Sequence, residues 1–108
     1  QVSDATMKKD IKPLDDVLSK VKALEPLEYR YIDNADNTPL SMGFFAQDVQ
    51  KIFPTTVSSE EGESLLGIDY SKFAVISIKA IQEQQDLIEE QNNRIDALEQ
   101  LVQELLNR

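Results

Sequence analysis

The residues best suited to chemistry stand at the front of the chain, in the stretch Ser-Asp-Ala-Thr-Met-Lys-Lys-Asp-Ile of positions 3 to 11. Ser3 brings a hydroxyl and Lys8, five positions on, an amine. A serine hydroxyl is a poor nucleophile until a base removes its proton. The sequence has no cysteine and no histidine. That excludes disulfide scaffolds, thiol nucleophiles and the usual zinc sets, and leaves acid–base work to Lys, Asp, Glu or Tyr. Lysine is then the candidate base, as in serine–lysine hydrolases, and Lys8, Lys9 and Lys12 all stand near Ser3. Two conditions apply. Residues five apart in an ideal helix are turned about 140° from each other, so Ser3 and Lys8 meet only if the chain turns between them. A free lysine titrates at about 10.4 and is protonated at neutral pH, so a lysine base needs burial that disfavours its charged form. The first residues of a small domain are wet unless another chain or an upstream segment covers them. By spacing alone, Ser-x-x-x-x-Lys is a weak signal, found more often on surfaces than in active sites.

What must position these residues is a short, acidic chain. It has 108 residues, 41% hydrophobic, with three glycines and four prolines, which fits one globular unit or part of one. A chain of this size buries a modest core, so assembly with further copies is expected. The net charge is −9, which argues against a generic phosphate-binding surface and hence against nucleic acid as a partner. The charge is uneven: acids and bases balance over residues 1–30, whereas residues 31–70 set one lysine against seven acids. No apolar run approaches the roughly 18 residues of a membrane span, so no membrane partner is expected, and the opening residues do not read as a signal peptide. No metal site and no cofactor are expected.

Along the chain, Pro13 suits the first turn of a helix, and Leu14, Val17, Leu18, Val21 and Leu24 recur at helical spacing until Pro26. This predicts a helix over 13–24. Residues 27–32 alternate and are rich in aromatic and β-branched types, which predicts a strand, and 33–39 read as a turn. Met42 to Phe45 read as a short buried strand. Ala46 to Phe53 place Val49, Ile52 and Phe53 on one helical side, with Pro54 as the stop. Residues 55–70 suggest two short strands around an acidic glycine turn, Val57 in the first and Leu65, Leu66 and Ile68 in the second. The expected role of all these is core and hairpin.

From Asp69 onward there is neither glycine nor proline. Asp69 or Ser71 can cap a helix that would run about 38 residues, or about 57 Å. Ala74, Ile81, Ile88, Ile95 and Val102 fall seven apart, with Gln84, Gln91, Leu98 and Leu105 three further along, forming the a/d seam of a coiled coil. Ile at a with Leu at d favours two strands, but Ile78, Ala80, Leu87, Leu101 and Leu106 widen the stripe, and Gln84 and Gln91 add polar layers that fix register. Arg94 and Glu99 are offset for an interchain ion pair, a selector of partners worth roughly 0–1 kcal/mol. The expectation is a parallel oligomer, trimer ahead of dimer, with Ile81, Gln84, Ile88, Gln91, Ile95, Leu98, Val102 and Leu105 at its interface. The simpler alternative is an amphipathic helix folded back on its own domain. The fold class is α+β: a head of short helices and strands over 1–69, then a long helix over 70–108.

Three stretches together resemble a known family. The opening residues, through Ser3, Asp4, Met7, Lys8 and Ile11, are similar to the start of the peptidase S74 domain, the C-terminal intramolecular chaperone of phage tail spikes and fibres. Residues 42–54 resemble its second motif through Gly43, Phe44, Ala46, Gln47, Asp48, Val49 and Pro54, and Asp69 and Tyr70 resemble its strand-to-helix junction. Thr6 departs from the arginine often found at its position. The resemblance implies a homotrimer that helps an upstream fibre or spike passenger of the same chain to fold and then cuts itself off at Val2–Ser3. Ser3 would be the nucleophile and Lys8 its base, while Asp4 belongs to the motif without an assigned role. The setting implied is the bacterial host cytoplasm during virion assembly, with release from the mature fibre after the cut. Two other readings compete: a structural trimerisation cap that does not cleave, and a coiled-coil adaptor for a separate helical partner.

Overall fold

The head is built against the first turns of one long helix. In the computed structural model, which describes residues 1–59 and 64–108, the elements run α1 (Leu18–Lys22), β1 (Leu27–Tyr29), β2 (Ser41–Gly43), α2 (Ala46–Ile52), β3 (Val57–Ser59), β4 (Leu66–Ile68) and α3 (Lys72–Leu106), with 3₁₀ turns at Ala5–Met7 and Pro54–Thr56. The strands form two separate antiparallel ribbons, β1 with β2 and β3 with β4. The molecule measures 74 × 47 × 22 Å.

Helix α3 is 35 residues long, close to the expected length, and spans about 52 Å at 1.5 Å per residue. Asp69 sets its start: Oδ1 accepts from the Ser71 N–H at 3.1 Å and from the Ser71 hydroxyl at 2.5 Å. Phe73, Ile76 and Ala80 pack into the head, and Glu83 one turn further reaches α1. These residues recur every three or four positions and define one face. Within the described residues, the buried hydrophobic core is Val17, Val49, Phe53, Ile76 and Ala80, ringed by Leu18, Val21, Leu24, Phe44, Ile52, Val57, Ile68 and Phe73. Phe44, Tyr70 and Phe73 form a three-ring cluster, and Phe73 meets Phe53 edge-on.

The expected helix over 13–24 is shorter, beginning only at Leu18. A helix starting at Pro13 would send the Val17 and Leu18 N–H groups to the carbonyls of residues 13 and 14. Both instead donate to the Glu83 carboxylate, Val17 at 2.9 and 3.2 Å and Leu18 at 2.7 Å. A side chain from α3 thus caps α1 and fixes Val17, 1% exposed, in the core.

The expected strand 27–32 ends at Tyr29, because Asn34 Oδ1 accepts the Tyr31 N–H at 3.0 Å and turns the chain early. The buried strand expected over Met42–Phe45 is a correction. Strand β2 covers Ser41–Gly43, Met42 is 80% exposed, and Phe45 lies beyond the strand and is exposed. The register pairs Met42 with Glu28 on the outward face, as alternation on a one-layer ribbon requires. Gly43, by contrast, faces inward, where a Cβ would lie 2.5 Å from Tyr70 Oη and 3.3 Å from the Tyr29 ring. The Phe44 N–H donates to that same Tyr70 oxygen at 3.1 Å, so Tyr70 cannot yield without losing the bond.

Helix α2 follows expectation, with Val49 and Phe53 in the core and the helix ending before Pro54. The second ribbon pairs Val57 with Ile68 and Ser59 with Leu66. Leu65, expected within it, lies outside the strand and is 77% exposed. The acidic glycine turn falls on residues 60–63, outside the described residues.

Replacing Glu83 by Ala strands two amide donors at the edge of the core, a loss of about 1–3 kcal/mol. Chemical denaturation at fixed protein concentration checks it: Glu83→Ala should shift the midpoint down and Glu83→Gln, which keeps an acceptor oxygen, should recover part of it.

Candidate active site

The front of the chain makes a single turn and buries none of its residues through position 16. Ser3 precedes the turn, the 3₁₀ segment Ala5–Met7 makes it, and Lys8 leaves it. Asp4 (φ −66°, ψ 130°) and Lys8 (φ −112°, ψ 144°) are both extended. The turn closes through Met7 N–H to the Asp4 carbonyl and Lys8 N–H to the Ala5 carbonyl, each at 3.1 Å. Asp4 also caps it from the side: Oδ1 accepts the Thr6 N–H at 2.9 Å and the Thr6 hydroxyl at 2.7 Å. The side-chain and backbone bonds from Thr6 stabilise the ionised carboxyl and hold Asp4 below the ordinary carboxylate range. The cap is therefore present through the neutral range and is lost only as pH falls through that lowered value.

The turn places Lys8 Nζ 2.8 Å from Ser3 Oγ, with the amine donating. This is within the distance at which a base can take a hydroxyl proton. The helical objection to a pair five residues apart does not apply, because one short turn between extended residues replaces a helix. Ser3 and Lys8 are both exposed in the single chain, as are Val2, Met7 and Ile11. Lys9 and Lys12, the other nearby amines, make no hydrogen bond to Ser3 among the bonds formed here.

The structure places the eight seam residues along one uncovered strip of α3. Ile81, Ile88, Ile95, Leu98, Val102 and Leu105 are between 46% and 63% exposed, and Gln84 and Gln91 are exposed with them. Seam residues Ala74 and Ile81 each stand one position after head-facing residues Phe73 and Ala80. One position is about 100° around a helix, so the head covers one side of α3 and leaves the seam free.

Three contributions are not legible in the sequence: the clamp of Asp4, its partner Thr6, and the cap from Glu83. The one local trace of the first two is Asp-x-Thr, since an aspartate reaches the amide two residues on in an Asx turn. Glu83 had no local signal, because its partners are 65 and 66 residues away.

A family model described as peptidase S74, chaperone of endosialidase, matches residues 3–58. The match covers more than half of the chain, and the chain belongs to this family. It begins on Ser3 and runs through the dyad turn, α1, the first ribbon and α2 into β3; the Asp69–Tyr70 junction and α3 lie beyond it. No curated protein matches the chain. No described helix is long and apolar enough to cross a membrane.

The clamp predicts a titration. In Thr6→Val the Asp4 carboxyl loses its strongest stabilising bond and should titrate at higher pH than in the unmutated chain. Carbon-detected NMR of the Asp4 carboxyl reads this, and an unmoved midpoint would mean the bond is not formed in solution.

Proposed function

We propose that this chain is a trimerising intramolecular chaperone that cuts itself from an upstream passenger at Val2–Ser3. The observation that carries the reading is the 2.8 Å contact of Lys8 Nζ with Ser3 Oγ, next to the proposed scissile bond and at the first residue of the family match. Membership of a chaperone family supports the passenger role. The uncovered seam of α3 supports assembly, since a rod with an apolar strip in water gains by covering it with further copies. Three parallel helices, with Gln84 and Gln91 as polar layers, accommodate the broad stripe.

Assembly supplies what the single chain lacks. Lysine acts as a base only when neutral, and desolvation favours that form. A neighbouring copy or the passenger packing over Val2, Met7 and Ile11 would exclude water from the dyad. Neutral Lys8 then takes the Ser3 Oγ proton, and Oγ attacks the Val2 carbonyl carbon. The Val2–Ser3 C–N bond breaks as the proton passes from Lys8 to the departing Ser3 amine, leaving the Val2 acyl group as an ester on Ser3. Water hydrolyses that ester, giving a Val2 carboxylate and restoring the Ser3 hydroxyl. The nucleophile is held beside its own carbonyl, so proximity replaces substrate binding. The reaction runs once per chain, in the host cytoplasm where a phage fibre would assemble, and needs no cofactor.

The exposure of Ser3 and Lys8 favours a second reading, a trimerisation cap that keeps the fold without the cut. Expression with the natural upstream region separates the two. Autocleavage predicts two fragments split at Val2–Ser3, with cutting abolished by Ser3→Ala and by Lys8→Ala; an intact precursor from the unmutated chain leaves the cap.

Assembly carries its own test. Ile95→Asp with Leu98→Asp puts charge into adjacent seam layers; sedimentation should find a trimer for the unmutated chain and a monomer for the variant, with cleavage lowered in step. A wild-type monomer at micromolar concentration would exclude both the chaperone trimer and the cap and leave the coiled-coil adaptor. Full-rate cutting by the monomeric variant would show that burial between copies is not what activates Lys8.

A further inference from the structure

We propose that Asp4 and Thr6 are the positioning residues of the cleavage site, and that their clamp holds the turn that lays Lys8 Nζ against Ser3 Oγ. The inference rests on the autocleavage reading above and assigns roles within it.

No residue from 3 to 8 is buried, so no core packing maintains this turn and its own hydrogen bonds must do so. Two are the backbone bonds from Met7 and Lys8. The other two converge on Asp4 Oδ1, from the Thr6 amide at 2.9 Å and the Thr6 hydroxyl at 2.7 Å. Neither residue touches Ser3 Oγ or Lys8 Nζ through a hydrogen bond formed here, so they act on the dyad only through the path of the backbone between them. Without the clamp, an isolated turn of three residues has little to hold it, because the first helical turn fixes several dihedrals for few bonds. Lys8 would then sample many positions relative to Ser3.

The same device occurs a second time. Asp69 Oδ1 accepts the Ser71 amide at 3.1 Å and the Ser71 hydroxyl at 2.5 Å, and α3 starts at the next residue. At these two places Asp-x-Ser/Thr begins a helical turn, once to launch a rod and once to shape the dyad, whereas at Asp36–Thr38 the Thr38 amide donates to the Ala35 carbonyl at 2.9 Å instead. Thr6 is a contributor in its own right, since its hydroxyl supplies a bond that a side chain without a hydroxyl would not replace.

The test uses the full precursor with its natural upstream region, following the fraction cut at Val2–Ser3 against time, with sedimentation of each variant. Asp4→Ala should slow the cut by about 10- to 100-fold, the scale expected when reacting groups lose alignment. Asp4→Asn should recover most of the rate, because its amide oxygen accepts the same bonds and Asn matches Asp as a cap. Thr6→Val should slow the cut severalfold and Thr6→Ser should recover it. Cutting by Asp4→Ala at the unmutated rate, still dependent on Ser3 and Lys8, overturns this proposal alone. So does an Asp4→Asn variant as slow as Asp4→Ala, which would assign the effect to charge. If Asp4→Ala fails to assemble, the Thr6 pair decides: equal rates for Val and Ser overturn the clamp. An uncut wild-type precursor, or cutting that survives Ser3→Ala, overturns the autocleavage reading and this proposal with it.

Discussion

Too little of this chain can be buried by the chain itself. The described core holds Val17, Val49, Phe53, Ile76 and Ala80, while α3 carries Ile81, Ile88, Ile95, Leu98, Val102 and Leu105 uncovered along its length. Full burial of one such side chain is worth roughly 1.5–3 kcal/mol, and each of these six, 46–63% exposed, has about half of that still to gain. The head uses only the first turns of α3, on the face defined by Phe73, Ile76 and Ala80, and the row closes where Glu83 takes the amides of Val17 and Leu18. Past that carboxylate every residue of α3 is exposed, although Asp86, Leu87 and Glu90 still border α1. The division follows from helix geometry, since neighbouring positions are about 100° apart and the head can satisfy one row without touching the next.

The candidate site obeys the opposite rule. Its geometry is local, assembled from six consecutive residues, and owes nothing to the core. Its environment is not local, because Ser3 and Lys8 are both exposed among the described residues. Under the proposed function this separation gives the reaction an order. The dyad can take shape as soon as the turn forms, while its ability to move a proton waits on packing from other copies or from the passenger. A site whose alignment also depended on assembly would need two late events. Here assembly has only to exclude water.

What the sequence made legible follows the same split between near and far. Helix α2 could be read because Val49, Ile52 and Phe53 share a side and Pro54 stops them, and α3 because no glycine or proline interrupts it. The second ribbon could be read from its apolar residues, though Leu65 was drawn into a strand that starts at Leu66. Helix α1 could not be read correctly: the apolar spacing from Leu14 is real, but a carboxylate distant in sequence takes its first amide donors. Met42 and Phe45 looked buried because an apolar run does not reveal that its ribbon lacks a second covering layer. Ser3 and Lys8 are legible as residue types but their meeting is not, because helical spacing separates them and what replaces the helix is set by Asp4 and Thr6.

The two Asp-x-Ser/Thr clamps begin alike and end differently, and the difference explains the site. After Asp69 the next residues, Phe73, Ile76 and Ala80, find the head, so each added turn is stabilised by burial and the helix propagates. After Asp4 come Ala5, Thr6 and Met7, and Met7 is left 77% exposed. Nothing supports a second turn, and Lys8 reverts to extended backbone at φ −112°, ψ 144°. Had the helix continued, Lys8 would stand about 140° around from Ser3. The absence of a hydrophobic reward after Thr6 is therefore what returns the amine to the hydroxyl. A substitution that gave this segment a helical apolar face would strengthen the helix at the expense of the dyad.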